Sequence, residues 1–186
     1  LAAIEQCVFV DKTLTLSQIK EALINNFEGM EDVRKTLLAA PKYGNNDDRA
    51  DKYAVWYVDF LSGEFNKYKT KDGGGIYTIM AANVSNIYAG SFIGATPDGR
   101  KAGEPLSDAA SPTYGRDKKG ATSTVLSLVK PDYTKVASGT VVNQKFSPSA
   151  FLPERRKKLQ QLFRVYFEKG GHEVQINATS RKVLQD

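Results

Sequence analysis

The sequence predicts an α/β protein. The last third carries the clearest signal: residues 140–146 alternate as a strand, residues 153–170 carry a helical apolar stripe, and residues 173–178 alternate again. A strand, a helix and a strand in that order imply a parallel pair joined by a right-handed crossover. The second observation is a helical first half, residues 1–70. The third is composition: 186 residues, 41% hydrophobic and 25% charged, which suits one domain and excludes collagen-like, low-complexity and disordered chains.

Taken in order, Thr15 and Gln18 form a capping-box pattern, followed by Leu16, Ile19, Leu23 and Phe27 at helical spacing. A second helix spans residues 31–40 and is stopped by Pro41. Residues 41–48 are turn chemistry, and their acidic end suits the start of a third helix over about residues 49–68. That helix carries Tyr53, Trp56, Tyr57, Phe60, Leu61 and Phe65 on a wide apolar face, read as packing in preference to a ligand box. Gly73-Gly74-Gly75 breaks the chain. It lacks the endings of a P-loop or a dinucleotide turn and precedes a strand, so it reads as a hinge.

Residues 76–84 read as a buried strand, and residues 89–122 as a long irregular connection. Thr96-Pro97-Asp98-Gly99 fits a type I turn within it, and a second glycine-bearing turn covers residues 114–117. In the closing unit, Pro153 suits the first helical position. Lys169 falls in the last turn and Gly170 at the C-cap.

Few of the usual catalytic side chains are present. Cys7 is the only cysteine and His172 the only histidine, which rules out an intrachain disulfide and a zinc site built from Cys and His. Cys7 lies in an apolar run, where buried inert thiols are the common case. His172 follows two glycines with no nameable partner, and no catalytic task is assigned to it. Lys and Arg exceed Asp and Glu by 26 to 21, a surplus that permits an anionic partner without requiring one. The cluster Arg155-Arg156-Lys157-Lys158 spreads around a helix and reads as a solvated face. The uncharged stretch from residue 73 to 97 is too polar for a spanning helix.

Asn143, Lys145, Gln175 and Asn177 occupy alternate positions in strands expected to be covered on both faces. Buried amides need partners. They therefore line a polar interior or bind loops that lack ladder bonds, either of which points to a barrel holding backbone and ligand in its lumen.

Residues 94–108, with Thr96-Pro97-Asp98-Gly99-Arg100 at their centre, are followed by Ser111-Pro112 and Gly115-Arg116-Asp117. This block strongly resembles the pyruvate formate-lyase-like domain of glycyl radical enzymes. Residues 143–149, residues 170–177 and residues 41–48 resemble three further family blocks, and the order along the chain agrees. The details look closer to the dehydratase and lyase branch than to pyruvate formate-lyase proper.

The resemblance implies a portion of a ten-stranded α/β barrel of the pyruvate formate-lyase-like type. It also implies a reaction by thiyl-radical hydrogen abstraction on a small organic substrate, with formate acetyltransferase, diol dehydratase and C–S or C–N lyase activities open. The glycyl radical is installed by an S-adenosylmethionine-dependent activase with an iron–sulfur cluster, and no cofactor is expected on this segment itself. Residues 1–186 are expected to be one partial domain that stops before the glycine radical domain. The radical glycine then lies downstream, the catalytic cysteine upstream, no catalytic residue falls within the chain, and the segment is inactive alone.

In this reading Tyr77, Met80 and Asn83 face substrate, with ordinary packing as the competing account of Tyr77 and Met80. Asn143, Gln175 and Asn177 support the catalytic loops. Expected partners are the substrate, the activase, the remainder of the polypeptide and a second copy, with no metal, nucleic acid or membrane and a cytoplasmic location. Two competing classes are a basic nucleic-acid-binding module, supported by charge alone, and a non-catalytic chain that completes a split barrel.

Overall fold

The computed structural model describes residues 1–78 and 84–178. The chain opens with α1 (Ala2–Ile4), which runs directly into a π-helical stretch, Glu5–Val10. Three helices follow: α2 (Leu16–Ile24), α3 (Glu31–Ala39) and α4 (Asp48–Phe65). Next come α5 (Asn86–Phe92) and α6 (Ala121–Leu128), separated by a long loop, then β1 (Val141–Phe146), α7 (Pro153–Glu168) and β2 (Glu173–Ala178). Short 3₁₀ turns sit at Tyr133–Lys135 and Pro148–Phe151.

Local chemistry explains most boundaries. The Gln18 amide donates to Thr15 Oγ1 at 3.2 Å and the Thr15 amide donates to Gln18 Oε1 at 2.8 Å, so the capping box is complete. Glu31 and Asp32 sit in the first turn of α3, where the helix dipole favours negative charge. Ala40 is extended, as a residue before proline prefers, and α3 ends there. Asp47 caps α4 by accepting from the Arg49 amide at 3.1 Å. Pro153 occupies the first turn of α7, and Gly170, at φ +95°, turns the chain out past the Lys169 cap.

Two clusters hold these elements. One gathers Ala3, Cys7, Ile19, Ala22, Phe27 and Leu37 between the first four helical segments. The other joins Val125 and Leu128 of α6 to Val142 of β1 and Tyr166 of α7, with Tyr43 and Val174 packed against them. β1 and β2 pair in parallel, with Val142 beside Val174, Asn143 beside Gln175 and Lys145 beside Asn177. The Tyr166 ring lies where a Cβ at Gly171 would stand, 2.3 Å away, which locks α7 to the start of β2.

The structure corrects three sequence expectations. The apolar face of α4 is not packed. Only Ala50 and Val58 among its apolar residues are buried, while Trp56, Tyr57 and Phe60 stand about half exposed. Residues 79–83 of the strand expected over 76–84 lie outside the described residues; Thr78 forms a parallel bridge with Val136, and Val84 lies in a turn. The connection at 89–122 is not wholly irregular, because α5 and the start of α6 fall inside it. Both are short and rich in Ser, Thr, Ala and Gly, so they lack the wide apolar stripe that marks a helix. β2 is not buried on both faces, since Gln175 is exposed and Asn177 only partly covered. Among the described residues α6 and α7 pack on the face carrying Val142, and nothing comparable covers the other.

No helix among the described residues is long and apolar enough to cross a membrane. Thr15→Ala removes the side-chain half of the capping box, leaving the Gln18 amide without its acceptor, and should cost about 1 kcal/mol. Thermal unfolding followed by circular dichroism should show a midpoint about 2–4 °C lower.

Candidate functional site

Three of the sequence blocks converge on one another, and a small set of side chains does the joining. Asn45, in the loop between α3 and α4, is buried. Its Nδ2 donates to Lys42 O at 3.0 Å and to Arg116 O at 2.8 Å. Its Oδ1 accepts from the amides of Lys118 at 2.7 Å and Lys119 at 3.1 Å. One amide therefore satisfies four backbone groups from two loops.

The neighbouring Gly44 has φ +94°, and a Cβ there would sit 2.3 Å from the Pro112 ring. Thr124 Oγ1 donates to Gly44 O at 3.1 Å, and the Asn46 amide donates to Ser127 Oγ at 2.7 Å. Ser127 Oγ donates in turn to Asp51 Oδ2 at 2.9 Å, which also accepts from Lys130 Nζ at 2.6 Å. The Asp51 side chain has no exposed surface. Burial pulls the Lys130 amine down, but its hydrogen bonds to the Asp48 and Asp51 carboxylates outweigh this, and its pKa lies above the ordinary lysine value.

The loop between α5 and α6 is organised around a buried cation. Arg100 is 3% exposed and has no acid partner among the described residues; its guanidinium donates to the carbonyls of Glu104, Ile93 and Gly94. The Gly99 amide closes the expected turn onto Thr96 O at 3.0 Å, and Arg34 Nε holds Gly99 O at 2.9 Å. Asn86 Nδ2 donates to Leu106 O at 3.0 Å and to the Tyr114 hydroxyl at 3.1 Å, and that hydroxyl donates to Asp108 Oδ2 at 3.1 Å.

This loop is fastened to the sheet along the edge of β1 away from β2. The Ala110 amide donates to Val141 O at 3.0 Å, and the Asn143 amide donates to Ser111 Oγ at 2.8 Å. A cavity of about 290 Å³ lies between loop and strand, lined by Asp108, Ser111, Tyr114, Asn143 and Lys145 among others. Lys145 Nζ stands 4.9 Å from the centroid of the Tyr114 ring. A second cavity, of about 350 Å³, has Lys42, Tyr43, Tyr53, Asp98, Ser107 and Arg116 in its walls and shares Ser111 with the first.

Burial dominates the electrostatics. Lys42 Nζ caps the end of α3 by donating to Leu37 O at 2.6 Å and Ala40 O at 2.9 Å, and burial lowers its pKa to about 8. Burial holds the Tyr43 phenol well above its ordinary range and pushes Tyr133 up to about 12. Burial also raises Tyr166 and the Cys7 thiol. These groups keep their protons at neutral pH, so the site is a scaffold of hydrogen bonds without an activated nucleophile. Among the described residues no group of three His, Cys, Asp or Glu side chains stands ready to hold a metal.

The residues singled out in the sequence are only partly brought together. Asn143 lines the smaller cavity and holds the loop through its backbone amide. Gln175 and Asn177 lie one strand away, beside Asn143 and Lys145 in the register. Tyr77 is 66% exposed, its ring packed over Gly75, and it lines neither cavity. Met80 and Asn83 lie outside the described residues. Asp108, Ser111, Tyr114 and Lys42 were not singled out, although Asp108, Ser111 and Lys42 sit in the loop blocks. Periodicity says nothing about side chains on an irregular backbone.

Two predictions follow from this geometry. Asn45→Ala removes the partner of two amides and two carbonyls in a buried setting and should cost about 3 kcal/mol by thermal or urea unfolding. The depressed Lys42 pKa has a definite sign. Between about 8 and 10.5 the unfolded chain binds this proton and the folded chain does not, so Lys42 makes stability rise with pH across that window and leaves it flat below. Urea unfolding of the parent and of Lys42→Met, compared at points through the window, should show that slope only in the parent.

Comparison with known proteins accounts for this architecture. The family model described as Pyruvate formate lyase-like matches residues 1–90, and the one described as Glycine radical matches residues 106–186. The junction between them falls in the loop after α5, whereas the sequence reading assigns the whole chain to the first. Trans-4-hydroxy-L-proline dehydratase of Clostridioides difficile is 35% identical over 99% of this chain and 23% of its own length. Probable dehydratase YbiW of Escherichia coli is 37% identical over 100% of this chain and 24% of its own.

The B12-independent glycerol dehydratase of Clostridium butyricum, solved with glycerol bound, superposes with TM-score 0.92 at 38% identity, covering 99% of this chain and 24% of that one. Hydroxyproline dehydratase from Clostridioides difficile superposes at TM-score 0.93 and 34% identity, covering 99% and 23%. The chain therefore spans about a quarter of the length of these relatives, and its fold is a portion of their α/β barrel. Two ordered family models and similarity to a dehydratase over 99% of this chain lead to one assignment: the chain belongs to the glycyl radical enzyme family.

Proposed function

We propose that this chain is the C-terminal barrel portion of a glycyl radical dehydratase or lyase acting on a small organic substrate. The observation that carries the reading is the folding of loop 94–119, which Arg100 closes on itself, Asn45 ties to loop 41–48 and Ser111 fastens to the edge of β1. Relatives with the same portion are named for dehydrating trans-4-hydroxy-L-proline and glycerol, and others for releasing sulfite from isethionate. Small hydroxylated molecules are therefore the favoured substrate class, ahead of acyl transfer to or from formate.

In this reading the glycyl radical, placed by an activase that uses S-adenosylmethionine and an iron–sulfur cluster, supplies hydrogen abstraction through a cysteine thiyl. Both radical carriers lie outside residues 1–186; Cys7 is buried against Thr36 O with a raised pKa and is no candidate. The residues of this chain build the surroundings. Arg100 and Asn45 tie up loop backbone that would otherwise draw in water, and exclusion of water protects reactive intermediates. Tyr77, Met80 and Asn83 face substrate, while Asn143, Gln175 and Asn177 steady the loops. The complete enzyme is a cytoplasmic homodimer.

Anaerobic activation of the complete polypeptide by its activase should give a glycyl doublet in electron paramagnetic resonance, together with loss of water from a hydroxylated substrate. Residues 1–186 treated in the same way should give neither. Turnover by residues 1–186 alone, or an activated complete polypeptide that stays silent, would overturn the reading.

A further inference from the structure

The larger of the two cavities described above has walls whose charges do not cancel. It holds about 350 Å³ and lies between α1, the loop 41–48, the start of α4 and the loop 94–119. Two cations stand in it. Lys42 Nζ spends two of its three hydrogens on Leu37 O and Ala40 O, which leaves one to spare. Arg116 is clamped through its backbone: its carbonyl accepts from Asn45 Nδ2 at 2.8 Å and its amide donates to Thr113 O at 3.0 Å. The guanidinium on that fixed base forms no ion pair among the described residues, and its Nε is shielded from solvent without a hydrogen-bond partner.

Among the described residues Asp98 is the one carboxylate in the walls, and its Oδ1 already accepts from the Thr96 hydroxyl. The field at Lys42 records the imbalance. Burial lowers its pKa to about 8; Asp98 works against that, whereas Arg116 and Lys118 add to it, and the neighbouring Cys7 is a buried thiol that keeps its proton. Three cations thus face one carboxylate. A concave site with surplus positive charge and donors fixed in advance favours an anion, because little is left to order when it binds. Ala3, Pro41 and Ala50 supply apolar wall, and the volume exceeds what a bare inorganic anion fills.

We propose that this cavity binds a small organic acid, its carboxylate held between Lys42 Nζ and the Arg116 guanidinium and its short carbon body lying against Ala3, Pro41 and Ala50. The inference rests on the cavity alone and not on the radical chemistry proposed above. The arrangement also couples binding to a proton. A carboxylate beside Lys42 raises the pKa of the amine, so anion and proton bind together. At pH 8 about half of the free protein carries that proton, and binding draws up to about half a proton from solution. At about pH 6.5 the amine is already charged and binding draws close to none.

The test is isothermal titration calorimetry of the complete polypeptide, before activation, with propionate as the probe. The parent should bind propionate with a dissociation constant on the order of 1 mM and the neutral isostere propionamide at least about tenfold more weakly. Titrations at pH 8 in buffers of different ionisation enthalpy should show the proton uptake, and affinity should fall about tenfold from about pH 7 to about pH 9. Arg116→Gln and Lys42→Gln should each weaken propionate about tenfold or more. Arg155→Gln, which alters an exposed cation of α7, should bind as the parent does. Lys42→Gln also unties the end of α3, so if that variant misfolds, Arg116→Gln and the proton count decide the matter.

A parent that ignores propionate would overturn the proposal, because a carboxylate from elsewhere in the polypeptide then fills the cavity. Equal affinity for propionate and propionamide, binding at pH 8 without proton uptake, or an Arg116→Gln protein with parental affinity would overturn it as well.

Discussion

An irregular backbone inside a protein must find partners for every amide and carbonyl it buries, and that constraint shapes this structure more than its hydrophobic clusters do. The loop between α5 and α6 runs through the middle of the molecule with few ladder bonds of its own. Its carbonyls are gathered by Arg100, its far end by Asn45, and its junction with the sheet by Ser111. Arg100 serves three backbone carbonyls and Asn45 four backbone groups, while Ser111 takes the single amide of Asn143. Among the described residues the buried arginine has only carbonyl partners, which makes it a tie for the loop and not half of an ion pair.

The polar ties also explain why the two hydrophobic clusters can sit at opposite ends of the chain. The helical cluster around Cys7 and Leu37 and the sheet cluster around Leu128 and Val142 meet through the loop 41–48. Within that loop Tyr43 packs against the second cluster, Gly44 lets Pro112 approach, and Asp47 starts α4. The phenols of Tyr43, Tyr133 and Tyr166 stay protonated because burial leaves no favourable setting for a phenolate. They act here as rigid filler with one hydrogen bond each to place, such as Tyr133 to Leu128 O at 2.6 Å.

Much of the fold was legible because its signals are local. Thr15 and Gln18 announce a capping box, Pro41 ends a helix, and Pro153 and Gly170 bracket α7, all from steric or hydrogen-bond rules that operate within a few residues. The parallel pair was legible from alternation around a helix. The candidate site was legible only as motif blocks. No spacing rule links Asn45 to Arg116 or Ser111 to Asn143, because those contacts depend on how a loop is folded back. Aromatic periodicity on α4 was correctly read as helical but wrongly as packed: a repeat reports which residues share a face and not what, if anything, covers it.

The long sequence separation of the ties has a kinetic consequence. Asn45 reaches Arg116 across 71 residues, and Lys130 reaches Asp48 across 82. Such closures forfeit chain entropy before any of their bonds reward it, whereas the N-terminal helices assemble from near neighbours. The nascent polypeptide should therefore pass through a stage in which the front half is ordered and the parallel strands still lack their clasp. At that stage an exposed strand edge is open to wrong pairings, and the time spent there sets how much the chain relies on chaperones.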